Sequence, residues 1–339
     1  MVISGKGGTG KTSVAASFAA LANRPVIADC DVDAADLHLV LSPQVKERHE
    51  FRAGYEAVIR VEECIGCGAC KAQCRFDAVS LEPQGGAQAD GRCLSCSTCR
   101  RSCSNRMNAA IQEMKAAMGA PCSGKYVIDP VACEGCGVCA YVCPVQAIEM
   151  RECVCGEWME SETRFGPMIH ARLGIAAENS GKLVSVVRSA ARRMAEEQGR
   201  ELIIVDGPPG IGCPVIASLT GASLAVIVTE PTLSGEHDLG RVLSLTRHFD
   251  IPAVVCVNKW DINPAITEII EQRAQSAGAG VAGRIRYDRA VTAAQLEAKA
   301  TVETGSQAAA DIREVWKSVL SHKGRLWNPV QIGSGSHLS

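Results

Sequence analysis

A chain of 339 residues with 47% hydrophobic content can bury a full core and carry a second module beside it. Its formal charge of −2 gives no broad electrostatic field for nucleic acid or a membrane surface, and no apolar run is long enough to span a bilayer. With no signal peptide ahead of the first motif a cytoplasmic location is expected, and there the 18 cysteines point to metal or cluster ligation over disulfides. The first predicted element is a short apolar strand at Val2 and Ile3, short enough that a few preceding residues are expected to be missing. It enters a glycine-rich loop ending in Lys11-Thr12 at the start of a helix that runs to Leu21, so Gly5 to Thr12 satisfies GxxxxGK[ST] in the strand-loop-helix context the motif requires. Glycines let backbone N–H groups turn onto phosphate oxygens, Lys11 supplies a point charge and the Thr12 hydroxyl can ligate Mg²⁺. Gly5, Lys6, Gly7, Gly8, Thr9, Gly10, Lys11, Thr12 and Ser13 are therefore the expected phosphate cradle.

Pro25 to Ala28 reads as a buried second strand that delivers Asp29-Cys30-Asp31-Val32-Asp33 to the nucleotide site, where carboxylates can hold Mg²⁺ or orient water; an acidic helix cap is the plainer alternative. From Val45 to Arg60 periodicity is lost, and then the cysteines begin. Cys64, Cys67, Cys70 and Cys74 form CxxCxxCxxxC, and Cys133, Cys136, Cys139 and Cys143 repeat it, followed by Pro144. Each quartet runs into a similar tail, FDAVSL or VQAIEM, and the duplication resembles a two-cluster bacterial ferredoxin, in which the fourth cysteine of each run ligates the other cube. That resemblance implies one [4Fe–4S] cluster on Cys64, Cys67, Cys70 and Cys143 and another on Cys133, Cys136, Cys139 and Cys74, with zinc as the competing metal. Arg75 stands where the first run would usually carry proline.

A third quartet, Cys93, Cys96, Cys99 and Cys103, has the same spacing but lacks the glycine after its second cysteine and is basic at Arg100, Arg101 and Arg106. It could itself pair with the first quartet. The outer pairing is preferred because Tyr126 to Pro130 supplies the strand and turn expected before a second ferredoxin motif. Residues 83–122 then form an insertion holding a third [4Fe–4S] cluster or zinc, and Cys122, Cys153 and Cys155 are spare sulfurs.

Farther on, Phe165 to Ile175 reads as a broken strand, and Gly181 to Arg193 as a helix with Leu183, Val186, Val187 and Ala190 on one face. His170, among apolar neighbours, is expected to be a core histidine, not a ligand. Leu202 to Val205 is a continuous apolar strand ending in Asp206-Gly207-Pro208-Pro209-Gly210, so Asp206 joins Thr12 as a candidate Mg²⁺ ligand. Cys213 is expected to be a small buried cysteine. Strands at Ala225 to Val228 and Ala253 to Val257 lead to Thr229-Glu230-Pro231-Thr232 and Asn258-Lys259-Trp260-Asp261; the Asn258 amide, both donor and acceptor, can read an adenine edge. NKxD also resembles the guanine-reading motif of GTPases. A last helix, Asp311 to Ser321, closes the sheet with Ile312, Val315, Trp316 and Val319, and 328–339 reads as a disordered tail.

With Lys6 inside the loop, the KGGxGKT form resembles the deviant P-loop of the MinD, ParA and Mrp ATPases and the nitrogenase iron protein, and the DxD, DGPPG, TEPT and NKxD stretches follow in the order of the MinD superfamily. The resemblance implies an α/β fold: a mostly parallel P-loop sheet flanked by helices (1–45 and 157–325), with an inserted α+β ferredoxin-like domain at 60–152. It implies a homodimer in which Lys6 reaches the partner's nucleotide, with Lys11 and Asp31 as further catalytic residues and Asp31 near the attacking water. Ile285-Arg286-Tyr287-Asp288 resembles the family's IPYD turn with arginine in place of proline, and Cys213 lies where the iron protein carries a cluster ligand. The implied cofactors are ATP, Mg²⁺ and two [4Fe–4S] clusters, and the implied partner is a redox protein or an apo iron–sulfur protein. ATP-gated electron transfer is the preferred function; a cluster carrier of the Mrp type and a regulatory ATPase with structural clusters are the alternatives.

Overall fold

The computed structural model describes residues 1–83, 124–174 and 179–326. The chain divides into two compact units, Met1–Phe51 together with the chain from Gly156 onwards, and Arg52–Cys155.

Strands β1 (Val2–Ser4), β2 (Val26–Asp29) and β3 (Gln44–Ile59) precede β4 (Val79–Pro83) and β5 (Gly124–Ile128). Strands β6 (Ile148–Thr163), β7 (Gly166–Leu173), β8 (Ile203–Pro209), β9 (Ala225–Thr229), β10 (Ala253–Asn258) and β11 (Gly280–Ile285) complete the set. Nine of them form one sheet in the order β11-β10-β9-β1-β8-β2-β7-β6-β3. Pairing is parallel from β11 through to β7, and β6 joins β7 antiparallel. The central strands are continuous apolar runs because helices cover both faces. The two-residue side-chain period shows in β1, where Val2 enters one core cluster and Ile3 the opposite one, and again in β10, where Val254 and Cys256 face the first and Val255 and Val257 the second.

One helical layer contains α1 (Lys11–Leu21) and α2 (Leu37–Leu41). Two short helices, α3 (Ala69–Gln73) and α4 (Val138–Tyr141), belong to the second unit. Helix α5 (Ser180–Glu197) packs on α6 (Cys213–Leu219), β2 and β7; α7 (Leu233–His248) and α8 (Pro264–Ser276) share a core cluster with α6. Helices α9 (Arg289–Leu296) and α10 (Gln307–Leu326) follow, and the α10 side chains Ile312, Val315, Trp316 and Val319 join the α1 cluster, Trp316 lying 4.8 Å from the Phe18 ring. The apolar stripe of α5 runs through Leu183, Val184, Val187 and Ala190, with Val186 only at its margin.

One element departs from the sequence expectation. The aperiodic stretch after Val45 is a 16-residue strand, β3, at one edge of the sheet. Its first half is almost wholly exposed, so no apolar alternation is imposed on it. Its neighbour β6, between β7 and β3, is equally long and carries exposed and half-buried charges, while Met159, Ser161 and Thr163 are buried at alternate positions.

His170 is buried on β7, its Nε2 2.8 Å from the Ser161 hydroxyl. Burial, helped by the charges of His38 and Arg48, lowers it to about 4. Between pH 6.5 and 4 the unfolded chain therefore binds a proton that the folded one refuses, and this residue's contribution to stability falls as pH falls. Relative to wild type, His170→Gln should lose stability at pH 7 and recover about 2–3 kcal/mol of that deficit by pH 4.5 in chemical denaturation. A deficit that stays constant with pH would contradict a depressed His170.

The second unit repeats its own geometry. Gly68 and Gly137, both in the left-handed region (φ 74 and 76), cap α3 and α4, and Asp77 and Gln146, three residues past the last cysteine of each quartet, share φ 53. Strands β4 and β5 pair antiparallel, Val79 opposite Ile128. Ala57, Ile59, Cys70, Val79, Tyr126 and Ile148 form its core.

Candidate functional site

The P-loop stands between β1 and α1 at the carboxyl end of the parallel strands, where such sheets receive ligands. Gly10 begins α1 with φ 89 and no side-chain cap, leaving the helix's first N–H groups to an anion. A Cβ at Gly10 would run into the Asn258 amide, so this position tolerates neither another backbone angle nor another atom. Because β2 and β8 pair in register at Asp29 and Asp206, those two carboxylates emerge side by side beneath the loop, each 1% exposed. Lys11 Nζ donates to Asp31 Oδ2 at 3.1 Å, also buried, and Asp31 N–H donates to Asp29 Oδ1 at 3.1 Å.

The electrostatics are those of an acid cluster short of cations. Burial, then the charge of Asp206, pushes Asp29 well up. Burial also raises Asp31 in spite of Lys11, and it raises Asp206 to about 6, with Lys11 and the neighbouring Thr12 hydroxyl opposing. Lys11 itself ends raised: burial disfavours its charge, but Asp206, Asp31 and Asp29 outweigh that penalty. Asp29 Oδ2, both Asp206 oxygens and Thr9 Oγ have no complete hydrogen bond. Buried acceptors of this kind are costly unless a cation or water takes them up, so a hard oxygen-seeking ion such as Mg²⁺ fits the donor set of Asp206 and Thr12. Ser13 Oγ accepts from Gln295 at 2.8 Å, which ties α9 to α1.

Lys6 and Asn258 flank this centre. Lys6 Nζ lies 3.2 Å from Ser234 Oγ, 3.4 Å from Thr232 Oγ1 and 3.5 Å from Glu230 Oε2. Glu230 also pairs with Lys259, so one carboxylate holds two ammonium groups. In sequence Glu230 of TEPT is marked only as a lone carboxylate directly after β9, and its role as a shared partner shows only in the fold. Asn258 donates to the Thr9 carbonyl at 2.8 Å and accepts from Lys259 N–H at 3.0 Å, joining β10 to the P-loop.

In the second unit two shallow concavities are lined by cysteines. One gathers Cys64, Cys67 and Cys70 with Cys143, walled by Ile59, Tyr126 and Ile148. The other gathers Cys133, Cys136 and Cys139 with Cys74, walled by Val79 and Ile128. Each three-cysteine run thus meets the fourth cysteine of the other. Ala147 N–H donates to Cys143 Sγ at 3.2 Å, and burial pushes the Cys70 thiol up to about 11. Among the described residues no three His, Cys, Asp or Glu side chains are close enough to share a single ion. Four thiols around each hollow are a donor set that fits a [4Fe–4S] cube.

Cys155 is buried on β6 and donates to the Ala53 carbonyl at 2.6 Å. Cys213, expected to be buried, is exposed at the start of α6: it opens a helix on the protein surface and does not pack beneath one. Cys93, Cys96, Cys99, Cys103 and Cys122, and the tail at 328–339, lie outside the described residues. No described helix is long and apolar enough to cross a membrane.

The family described as the CobQ/CobB/MinD/ParA nucleotide binding domain matches residues 1–302. The chain belongs to this family. An uncharacterised protein of Methanocaldococcus jannaschii is 30% identical over 266 residues, 77% of this chain and 78% of that one. The polyferredoxin protein MvhB of Methanothermobacter marburgensis is 31% identical over 95 residues, 28% of this chain; the match spans only 23% of that polyferredoxin. Among solved structures the cell division ATPase MinD of Pyrococcus furiosus superposes with a TM-score of 0.50 over 95% of this chain and 98% of that one, at 14% identity, a likeness of fold alone.

Proposed function

We propose that the chain is a dimeric ATPase whose nucleotide state is coupled to two ferredoxin-type [4Fe–4S] clusters, so that ATP gates electron transfer. The observation that carries this reading is the crossed grouping of cysteines in the second unit of a chain whose first unit holds a P-loop over buried, cation-seeking carboxylates. Polyferredoxin similarity over part of the chain supports it.

At the nucleotide, Lys11 would leave Asp31 for a phosphate oxygen, because the phosphate carries more charge than the carboxylate it replaces. Asp31, freed, would orient the attacking water, while Thr12 and Asp206 would hold Mg²⁺ and Asn258 would meet the adenine edge. Lys6 would exchange Glu230 for the partner subunit's nucleotide, which makes dimerisation part of the chemistry. When bound, the clusters supply one-electron transfer. Cys64, Cys67, Cys70 and Cys143 would ligate one, and Cys133, Cys136, Cys139 and Cys74 the other, while the Ala147 N–H directed at Cys143 Sγ would stabilise its thiolate. From Asp31 the chain reaches β3 through α2, so rearrangement at the first switch has a short covalent route towards the cysteine-bearing unit.

Reduction titration followed by electron paramagnetic resonance on anaerobically purified protein tests this proposal. The expected result is two titrating [4Fe–4S] signals whose midpoints shift by about 30 mV or more when MgATP is added. Midpoints indifferent to nucleotide would refute gating. A second reading, a carrier that hands clusters to an apo-protein, draws on the exposed thiol of Cys213; release of iron to an apo-ferredoxin within minutes would favour it.

A further inference from the structure

An ammonium has three protons, and that of Lys6 has three acceptors in one short stretch of its own subunit: Ser234 Oγ at 3.2 Å, Thr232 Oγ1 at 3.4 Å and Glu230 Oε2 at 3.5 Å. The stretch is built to stay in place. Thr232 is the N-cap of α7, its hydroxyl accepting Gly235 N–H at 3.0 Å, and a Cβ at Gly235 would run into the Glu230 carbonyl. The Glu230 side chain is 14% exposed and the two lysines that share it 31 and 32%, so the carboxylate is the enclosed partner and the ammonium groups are the ones with room to leave.

Lys259 holds the other side of this carboxylate, its Nζ 2.5 Å from Oε1. Its backbone has φ 58, a left-handed angle uncommon for a long side chain, which persists only where the surroundings hold it. Here they do: the Lys259 N–H donates to Asn258 Oδ1 at 3.0 Å, while the Asn258 amide donates to the P-loop carbonyl of Thr9 at 2.8 Å. Glu230 is thus braced from the nucleotide loop on one side and meets Lys6 on the other.

We infer that Glu230 is a positioning residue that withholds Lys6 from the dimer: its carboxylate is the seat Lys6 occupies in the single subunit, and Lys259, by competing for the same charge, sets how firmly Lys6 is held. This rests on the dimeric reading above, in which Lys6 must leave that seat for the partner subunit's nucleotide. The two neighbours act with opposite sign. Without the carboxylate's charge, Lys6 faces two hydroxyls and the like charge of Lys259, and is released. Without Lys259, the whole carboxylate is left to Lys6, which is held harder.

An ion pair of this exposure shifts an equilibrium by about threefold, and two lysines leave their seats per dimer, so about tenfold is expected in the dimer dissociation constant. MgATP turnover followed against protein concentration, on the anaerobically purified full chain, gives that constant and a plateau rate per subunit; sedimentation velocity with a non-hydrolysable ATP analogue gives the constant independently. Glu230→Gln should tighten the dimer about tenfold with a plateau rate within about twofold of wild type. Lys259→Met should weaken the dimer by about threefold or more, and the double variant should stay close to Glu230→Gln, because Lys259 acts only through the carboxylate. A merely structural role would weaken the dimer in both single variants. An unchanged or weaker dimer in a folded Glu230→Gln overturns the seat, and so does a Lys259→Met dimer that is unchanged or tighter. Wild type that sediments as a monomer with the analogue, and turns over at a rate per subunit independent of concentration, overturns the dimeric reading itself, a failure visible before any variant is compared.

Discussion

Lys6→Ala should abolish ATP hydrolysis, by about a thousandfold or more, while MgATP affinity stays within about threefold of wild type. The asymmetry follows from position. Lys11 is buried over the acid cluster, so it belongs to the chain's own phosphate site. Lys6 sits at the rim with its side chain 31% exposed, held by Glu230, Thr232 and Ser234, and none of these contacts fixes it over the chain's own cradle. A group that joins only in the assembled dimer contributes to the transition state and little to binding by the isolated chain. Turnover and calorimetry on the same preparation decide the matter: unchanged turnover removes the trans-acting lysine from the account. Lys11→Ala is the contrast, since losing that ammonium should weaken binding itself.

The second large effect concerns iron. If the crossed cavities hold the clusters, Cys67→Ser and Cys143→Ser each remove the same cube and Cys67→Ser with Cys74→Ser removes both. Iron analysis of anaerobically purified protein should therefore find about four irons lost in Cys67→Ser, about four in the Cys67→Ser, Cys143→Ser double variant, and about eight in the Cys67→Ser, Cys74→Ser double variant. Uncrossed quartets predict the reverse: about eight lost for Cys67 with Cys143 and about four for Cys67 with Cys74. Serine is nearly isosteric with cysteine, so the loss reads ligation more than packing.

The sequence carried much of this because its signals were local. Gly5 to Thr12 determines a strand-loop-helix phosphate cradle, since the glycine positions and the lysine must be adjacent in the chain to work. The apolar runs ending in Asp206 and Asn258 announced buried parallel strands, because strands covered on both faces need apolar residues at every position. Where a strand was left exposed, as along β3, no pattern was imposed and none could be read. The Cys213 reading failed for a related reason: a small side chain is compatible with core and surface alike, and only the placement of α6 chose between them.

By itself, then, the sequence determined the chemistry that neighbours in the chain can perform: the cradle, the cysteine runs and the order of acid-bearing strands. Only the tertiary structure decided the contacts between residues far apart in sequence. Asp29 and Asp206 become one acid cluster because β2 and β8 pair in register. Glu230 holds both Lys6 and Lys259 because three loops meet at one end of the sheet. Arg286 finds Asp311 because α10 returns across the edge strand. Such contacts depend on strand order and helix placement, which the whole core sets through burial on both faces of the sheet, and no short stretch of residues encodes them.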